Sequence, residues 1–234
     1  MGKRIIQQAR GKGSLTYRVK KKAFKHKLGY KDVEGKGEVI KLIDSAGHTC
    51  PIAKVKFDNE IFFIPAAEKM YEGQEIEIGK VKEGNIVNLK EIPIGTEIFC
   101  IENKPGDGGK LIRSGGSFAI VKEKVGNKII LTMPSKKDTS LDEKCKAIIG
   151  RAAGGGRKEK PIVKAGKKFH IMKAKSKLYP RTSAVAMNVV DHPFGSGRGK
   201  NISHGNKGKT SKANAAPGAK VGHFRPRRTG RKRK

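Results

Sequence analysis

Alternating apolar and polar residues predict four short β-strands in the first half of the chain. These are EVIKLID (38–44), PIAKVKF (51–57), IFFIPA (61–66) and EIEIG (75–79). Each alternates or runs apolar over a few residues, and turn signals such as Asp58-Asn59 separate them. Short strands at this spacing are typical of a small barrel or sandwich, and their density along the chain favours an OB-type barrel.

A second set of strands is predicted farther along the chain. Its members are TEIFCIE (96–102), SFAIVKEKV (117–125), KIILTMP (128–134) and KCKAIIG (144–150). Gly126-Asn127 lies between the second and third of these and is typical of a tight hairpin turn. Helical periodicity is weak, and a short helical turn is predicted only near Pro65–Tyr71. The sequence therefore predicts two small β-barrels.

Charge divides the chain into four zones. The net charge is +10 over residues 1–36, −3 over 37–94, +12 over 95–180 and +13 over 181–234, out of a total of +32. The near-neutral zone coincides with the first barrel, and basic glycine-rich segments flank the two barrels. Segments this basic, with few apolar residues, do not bury a core of their own, so we expect them to bind a polyanion.

The polyanion is expected to be a nucleic acid. A field this strong favours phosphate backbones or anionic lipid. Membrane is the weaker choice because the sequence lacks an apolar run near the ~20 residues of a spanning helix, and also a signal-peptide core. Trp is absent and only 6% of residues are aromatic, which argues against a stacking-rich reader of single-stranded bases. Binding to the backbone of RNA is the main expectation.

Two glycine motifs fail the tests for a nucleotide-binding loop. Gly208-Lys209-Thr210 resembles the end of a P-loop, but Ser203 stands where the motif requires glycine. Gly195, Gly197 and Gly199 give GxGxG rather than GxGxxG, and no apolar strand leads into them. We interpret these glycines as places where the backbone passes close to phosphates.

No metal site or cofactor is predicted from the cysteines. Cys50, Cys100 and Cys145 lie far apart and form no CxxC pair, which excludes an ordinary zinc ribbon or finger. An odd number of cysteines in a lysine-rich chain without a leader fits the reducing cytosol, with the thiols acting as small apolar residues. Magnesium is expected only through the phosphates of bound RNA.

Asp191-His192 is the one candidate acid–base pair, because Asp191 is the only acidic residue after residue 180. A carboxylate that orients an imidazole is a feature of general acid–base sites. Adjacent residues rarely point the same way, however, and no nucleophile or metal cluster completes a site. We therefore do not predict an enzyme. A nucleic-acid enzyme using this pair and a DNA-packaging protein remain as alternatives.

Candidate RNA-binding residues follow from the basic runs and from the Asp191-His192 segment. Each Lys or Arg bound to a phosphate releases about one counterion, so binding should depend steeply on salt. The candidates are Arg18, Lys20, Lys21, Lys22, Lys25, Lys27, Arg113, Arg151, Arg157, Lys158, Arg181, Asn188, Asp191, His192, Gly195, Gly197, Arg198, Lys200, Lys207, Lys209, Arg225, Arg227, Arg228 and Arg231.

Several segments resemble one known family. MNVVDHPFGSGRGK (187–200) is similar to the MNPV(D/E)HP(F/H)GGG loop of the universal large-subunit ribosomal protein family called L-two. PIAKVKF and IFFIPAAE resemble its first barrel, and residues 91–121 resemble the segment that joins its two barrels. Residues 147–170 and 216–234 resemble the archaeal and eukaryotic branch of the family.

The resemblance implies a mostly β fold in which an OB-type barrel precedes an SH3-like barrel, with long basic irregular extensions that penetrate ribosomal RNA. The loop histidine of the family maps onto His192. Phe194 stands where bacterial members have a second histidine, which again indicates the archaeal or eukaryotic branch. Val189 replaces the usual proline, and Ser196 interrupts the triple glycine.

The predicted domains are a basic extension (1–36), an OB-like barrel (37–94), an SH3-like barrel (95–176) and a basic extension (177–234). The resemblance implies a structural constituent of the large ribosomal subunit that binds large-subunit rRNA directly. It also implies support for subunit association, tRNA binding and the peptidyl-transferase region. The expected neighbours are other ribosomal proteins, small-subunit rRNA at the subunit interface and, indirectly, tRNA, all on the cytoplasmic ribosome.

Overall fold

The computed structural model describes residues 2–31, 33, 35–58, 60–195 and 216–222. The chain forms two compact units. Met1–Val19 and Ser176–Lys234 make up the first, which we call the loop unit, and Lys20–Lys175 makes up the second, which we call the sheet unit. The predicted extension over residues 1–36 is thus divided between the two units.

A four-stranded antiparallel sheet contains the strands predicted in the near-neutral zone. Its strands are β1 (Lys36–Ile43), β2 (Ile52–Phe57), β3 (Glu60–Pro65) and β4 (Glu75–Glu77), in the order β3-β2-β1-β4. Val55 of β2 lies opposite Val39 of β1 and Phe62 of β3. Because these three side chains are buried, the alternation seen in the sequence does place one face of the sheet in a core.

A six-stranded antiparallel sheet contains the second set. Its strands are β5 (Ile86–Asn88), β6 (Glu97–Phe99), β7 (Ala119–Val125), β8 (Lys128–Thr132), β9 (Asp138–Asp142) and β10 (Lys146–Ile149), in the order β5-β10-β6-β7-β8-β9. The predicted hairpin at Gly126-Asn127 joins β7 to β8, and Gly126 has a φ of 55°. The mostly β fold with two antiparallel sheets confirms the predicted fold class.

The sheets divide earlier along the chain than the domain boundary predicted at residue 94. β5 pairs with β10 of the second sheet, so the division falls between Glu77 and Ile86. One core cluster also joins side chains of both sheets, including Val55, Ile86 and Ile148. The two sheets therefore share part of their core within the sheet unit.

The helical segments differ from the prediction. The α-helices are α1 (Ile6–Gly11) and α2 (Ala165–Ala174), and 3₁₀ helices span Lys21–Phe24 and Ala184–Ala186. The prediction of a helical turn near Pro65–Tyr71 is wrong. β3 continues to Pro65, and Ala67 then forms a β-bridge with Ala152. α2 was not predicted, because the helix buries no residue and so has no apolar stripe. No helix in the described part of the chain is long and apolar enough to cross a membrane.

Candidate nucleic-acid interface

The segment around His192 forms a hydrogen-bonded loop in the loop unit. The carbonyl of Asn188 accepts hydrogen bonds from the backbone N–H groups of Asp191 (3.0 Å) and His192 (3.1 Å). The carbonyl of His192 accepts one from the N–H of Gly195 (2.8 Å). The side chain of Asn188 is exposed, and that of His192 is half-buried. The loop therefore presents Asn188 to solvent and partly shields the imidazole.

Gly195 is needed for the packing of this loop. A Cβ at this position would lie 2.3 Å from the carbonyl oxygen of Asn188 and 2.7 Å from that of Met187. Such contacts require the backbone to shift. The sequence-based interpretation assigned this glycine to close approach by RNA, but the structure shows that the fold of the loop itself already requires it.

The imidazole of His192 is held in one tautomer. The backbone N–H of Phe194 donates a hydrogen bond to Nδ1 of His192 at 3.0 Å, and the two rings meet edge to face at 5.1 Å. Burial also lowers the pKa of His192 below its ordinary value of 6.5. Nδ1 acts as an acceptor here, so the neutral ring carries its proton on Nε2. This arrangement lets His192 donate one hydrogen bond to an acceptor such as a phosphate or base oxygen.

Asp191 does not orient the imidazole. Its carboxylate Oδ1 lies 3.7 Å from Nζ of Lys3, and Nδ1 of His192 is already occupied by the N–H of Phe194. Acid–base chemistry by an Asp–His pair requires the carboxylate to bind the ring. The geometry therefore gives no support to the alternative in which this pair acts in a nucleic-acid enzyme.

The first basic run lies partly on the surface of the sheet unit. Ala23 is 1% exposed and packs against Gly47, where a Cβ would approach the Ala23 carbonyl oxygen to 2.0 Å. This contact holds the 3₁₀ helix Lys21–Phe24 on the unit while its lysines point outward. The exposed lysines of the run are Lys20, Lys21, Lys22, Lys25 and Lys27. Arg18, in the loop unit, is exposed as well.

Two of the predicted arginines make intramolecular contacts. Nη1 of Arg113 donates to the carbonyl of Leu28 at 3.3 Å. Arg151 forms a two-pronged pair with Glu97 and lies 4.5 Å over the ring of Phe118. The hydrogen bonds from Arg151 also lower the pKa of Glu97. Arg151 thus binds a carboxylate within the chain, using the same fork that would bind a phosphate.

The remaining candidates are exposed or lie outside the described residues. Arg157 and Lys158 are exposed in a turn after β10, and Arg181 is exposed in the loop unit. The structure does not describe Gly197, Arg198, Lys200, Lys207, Lys209, Arg225, Arg227, Arg228 and Arg231. RNA binding by any of the candidates stays a prediction.

The three cysteine side chains are buried, and their thiols stay protonated and unreactive near neutral pH. Burial raises the pKa of Cys50 and of Cys145 to about 11 and that of Cys100 to about 12. All three are free thiols, as expected of small apolar residues. Among the described residues, no group of three or more His, Cys, Asp or Glu side chains is arranged to hold a metal ion.

Sequence reasoning missed the partners of the His192 loop. Lys3 and Ile5 lie near the start of the chain, almost two hundred residues from the loop in sequence, and no pattern links them to it. The predicted interface also omits the lysines of α2 and its flanks, although their density along the sequence indicates a basic surface. They are Lys164, Lys167, Lys168, Lys173 and Lys175.

The fold and the site together define a class, a mostly β protein with basic extensions and a short histidine loop. The sequence profile described as "Ribosomal Proteins L2, C-terminal domain" matches residues 82–214, which is more than half of the chain. The chain belongs to this family. The match includes the six-stranded sheet, α2 and the His192 loop.

Relatives match the chain over its whole length. Large ribosomal subunit protein uL2 of Methanothermobacter thermautotrophicus is 45% identical, with all of both chains covered. The protein of the same name from Archaeoglobus fulgidus is also 45% identical over all of both chains. That of Methanococcus aeolicus is 44% identical over 99% of this chain and all of its own. These relatives are archaeal, which agrees with the archaeal and eukaryotic branch that residues 147–170 and 216–234 resemble.

Proposed function

We propose that this protein is a structural constituent of the large ribosomal subunit and binds large-subunit rRNA directly. The observation that carries the proposal is the full-length similarity to proteins named large ribosomal subunit protein uL2. The charge of the chain supports the same ligand. A net charge of +32 is well beyond what solubility requires and matches the phosphate backbone of a large RNA.

The two units would contribute differently to the bound state. The sheet unit presents Lys21, Lys22 and Lys25 on a surface fixed by the buried Ala23. The loop unit presents Asn188, Arg181 and the Nε2 proton of His192. Lysines and arginines contribute most of the affinity through phosphates, whereas a fixed hydrogen-bond donor contributes mainly to position.

The finer role follows from the family resemblance. We propose that the protein supports subunit association, tRNA binding and the peptidyl-transferase region, with the His192 loop closest to that region. Its neighbours would be other ribosomal proteins and small-subunit rRNA at the subunit interface, and tRNA would be affected indirectly. The protein would act on the cytoplasmic ribosome without a cofactor, and magnesium would reach it only through rRNA phosphates.

Sedimentation tests the assembled state. Cell extract should be separated on sucrose gradients at low and moderate salt, and the chain quantified against large-subunit proteins. We expect one copy for each large subunit, retained through moderate salt. Recovery of the chain only in the ribosome-free fraction would contradict the proposal.

Salt dependence of binding tests the contribution of the lysines. Replacing Lys21, Lys22 and Lys25 with Gln should weaken binding to large-subunit rRNA and reduce the salt slope by roughly 0.7–0.9 for each lost phosphate contact. The matched control replaces Lys41, Lys56 and Lys82, which are exposed lysines of the near-neutral zone. An equal loss in the control would show that only total charge matters.

Competition between RNA and DNA separates the proposal from DNA packaging. Charge alone does not favour structured rRNA over duplex DNA at matched salt. We expect rRNA fragments to compete much better than duplex DNA of equal phosphate concentration. Equal competition would instead favour the packaging alternative.

The local role of His192 can be separated from the contribution of total charge to rRNA affinity. Deleting residues 220–234 removes eight Lys and Arg, whereas His192→Gln removes one imidazole. The deletion should lower rRNA affinity far more than the substitution does. If the two changes had equal effects, the proposed local role of His192 would be wrong.

A further inference from the structure

The start of the chain lies against the His192 loop. The backbone N–H of Lys3 donates to the carbonyl of Val190 at 2.9 Å, and Nζ of Lys3 lies 3.7 Å from Oδ1 of Asp191. A Cβ on Gly2 would come within 3.4 Å of the same Val190 carbonyl. Two consecutive loop residues are therefore held by one residue of the N-terminal segment, which belongs to the same compact unit.

Ile5 supplies the apolar part of this contact. It is 7% exposed, and no other hydrophobic side chain among the described residues of the loop unit is buried. Ile5 and His192 line two common cavities, of about 310 Å³ and about 380 Å³. Residues 2–8 therefore help to line both cavities beside His192. Burial of one isoleucine side chain contributes more than an exposed ion pair does.

The N-terminal segment is itself held in shape. The backbone N–H of Ile5 donates to Oε1 of Gln8 at 3.2 Å, which satisfies one of the free N–H groups at the start of α1. The Gln8 side chain in turn packs closely on Gly218, where an added Cβ would approach its amide nitrogen to 2.8 Å. Residues 2–8 are consequently packed against Gly218 as well as against the His192 loop.

We infer that residues 2–8 are a positioning element for the His192 loop, in which Ile5 and Lys3 set the direction of the His192 imidazole. This assigns Asp191 a different role from the one predicted from the sequence. Its carboxylate pairs with Lys3 and not with Nδ1 of the imidazole. It also gives the start of the chain a function besides neutralising phosphates, one that goes beyond rRNA binding and does not depend on it.

Titration of His192 in the full-length chain tests the role of Ile5. Histidine NMR signals should be followed against pH in the wild type, Ile5→Ala, Ile5→Val and Leu15→Ala. Leu15 is the matched control, since it has the same number of carbons as Ile5 and is 85% exposed in the same unit. Ile5→Ala should raise the pKa of His192 toward its ordinary value of 6.5 because the ring gains water. Ile5→Val should preserve the wild-type titration, and Leu15→Ala should leave it unchanged.

Two results would overturn the inference. One is an unchanged titration of His192 in Ile5→Ala, and the other is an equal change in Leu15→Ala. Thermal unfolding of the sheet unit, followed in the same samples, shows whether the variants remain folded. If Ile5→Ala disrupts the whole chain, the inference is wrong as well, because Ile5 lies outside the sheet unit.

A charge exchange tests Lys3 without changing the apolar contact. Lys3→Asp places two carboxylates together, so the backbone N–H of His192 should exchange with solvent about two- to fivefold faster. The double variant Lys3→Asp with Asp191→Lys restores opposite charges and should return the exchange to the wild-type rate. Equal exchange in the single and double variants would contradict the role of this pair. Neither the titration nor the exchange measurement uses RNA, so a negative result for residues 2–8 can be distinguished from a failure of rRNA binding.

Discussion

The loop unit and the sheet unit carry their positive charge in different ways. The sheet unit has 33 Lys and Arg and 20 acids, and it buries two hydrophobic clusters. The loop unit has 20 Lys and Arg and one acid, and its described residues bury a single hydrophobic side chain, that of Ile5. The sheet unit therefore has a hydrophobic core, whereas the described part of the loop unit relies on a few specific contacts and carries an excess of positive charge that we expect a bound polyanion to offset.

The carboxylates of the two units differ in the same way. The most buried carboxylate in the described part of the chain, Glu102, lies in the sheet unit and binds three backbone N–H groups. The one carboxylate of the loop unit, Asp191, is 44% exposed and holds Lys3. Changes in the sheet unit should alter the free energy of unfolding, and changes in the loop unit should alter local order.

The largest effect is expected from Phe57→Ala. Phe57 is 1% exposed and stacks on Phe62 at 5.4 Å, so its truncation should lower the free energy of unfolding by about 3–5 kcal/mol. Phe169 of α2, which is 39% exposed, provides the matched control, and its truncation should cost about 1 kcal/mol or less. Chemical denaturation measures both. Equal losses would refute the contrast between core and surface in the sheet unit.

Glu102→Ala should have the next largest effect. The substitution removes the acceptor of the N–H groups of Gly106, Gly108 and Lys146, at a cost of roughly 3 kcal/mol. Glu102→Gln should cost less because it keeps one oxygen. The control Glu123→Ala removes an exposed carboxylate and should be nearly neutral. If Glu102→Ala were neutral too, the loop after β6 would not depend on this side chain.

Tyr30→Phe tests how the segment before β1 is fixed to the second sheet. The hydroxyl of Tyr30 donates to the carbonyl of Lys146 at 2.7 Å and lies 3.2 Å from that of Cys100. Burial raises the pKa of Tyr30 far above its ordinary range, so the hydroxyl stays protonated. Removing it should cost about 1–2 kcal/mol in the free energy of unfolding. Tyr71→Phe, at a side chain that is 64% exposed, should cause no measurable loss.

The smallest effect is a pH dependence of the loop unit. Burial lowers the pKa of His192 below its ordinary 6.5, so the unfolded loop binds a proton before the folded loop does. The resulting stability is fully present above pH 6.5 and is lost as the pH falls through the lower pKa of the folded state. NMR signals of residues 187–195 should broaden or shift over that range, and His192→Gln should abolish the change. Identical behaviour in the variant would contradict this assignment.

The sequence predicted those parts of the fold in which burial follows a regular period. β1, β2 and β3 were visible because apolar side chains alternate and one face is buried. β5 was missed because its two buried residues, Ile86 and Val87, are adjacent and show no alternation, and β9 because Leu141 is its one buried side chain. Their pairing with β10 and β8 depends on tertiary contacts that a local pattern does not contain.

The sequence identified the residues of the candidate site better than it predicted the contacts between them. The Asp191-His192 segment was identified from charge and from the family resemblance. Its geometry depends on the N–H of Phe194 and on Lys3, neither of which a side-chain pattern reveals. Gly195 was predicted as a site of close approach by phosphates. Its role in packing against Met187 and Asn188 depends on the folded loop, which the sequence does not show.

A cryo-electron microscopy map of large subunits from the source cells would show whether this chain is a component that binds rRNA. We expect one copy of the chain, with the loop around His192 in contact with rRNA and residues 2–8 packed against that loop. A map without the chain, or with the His192 loop facing solvent away from RNA, would contradict the proposed function.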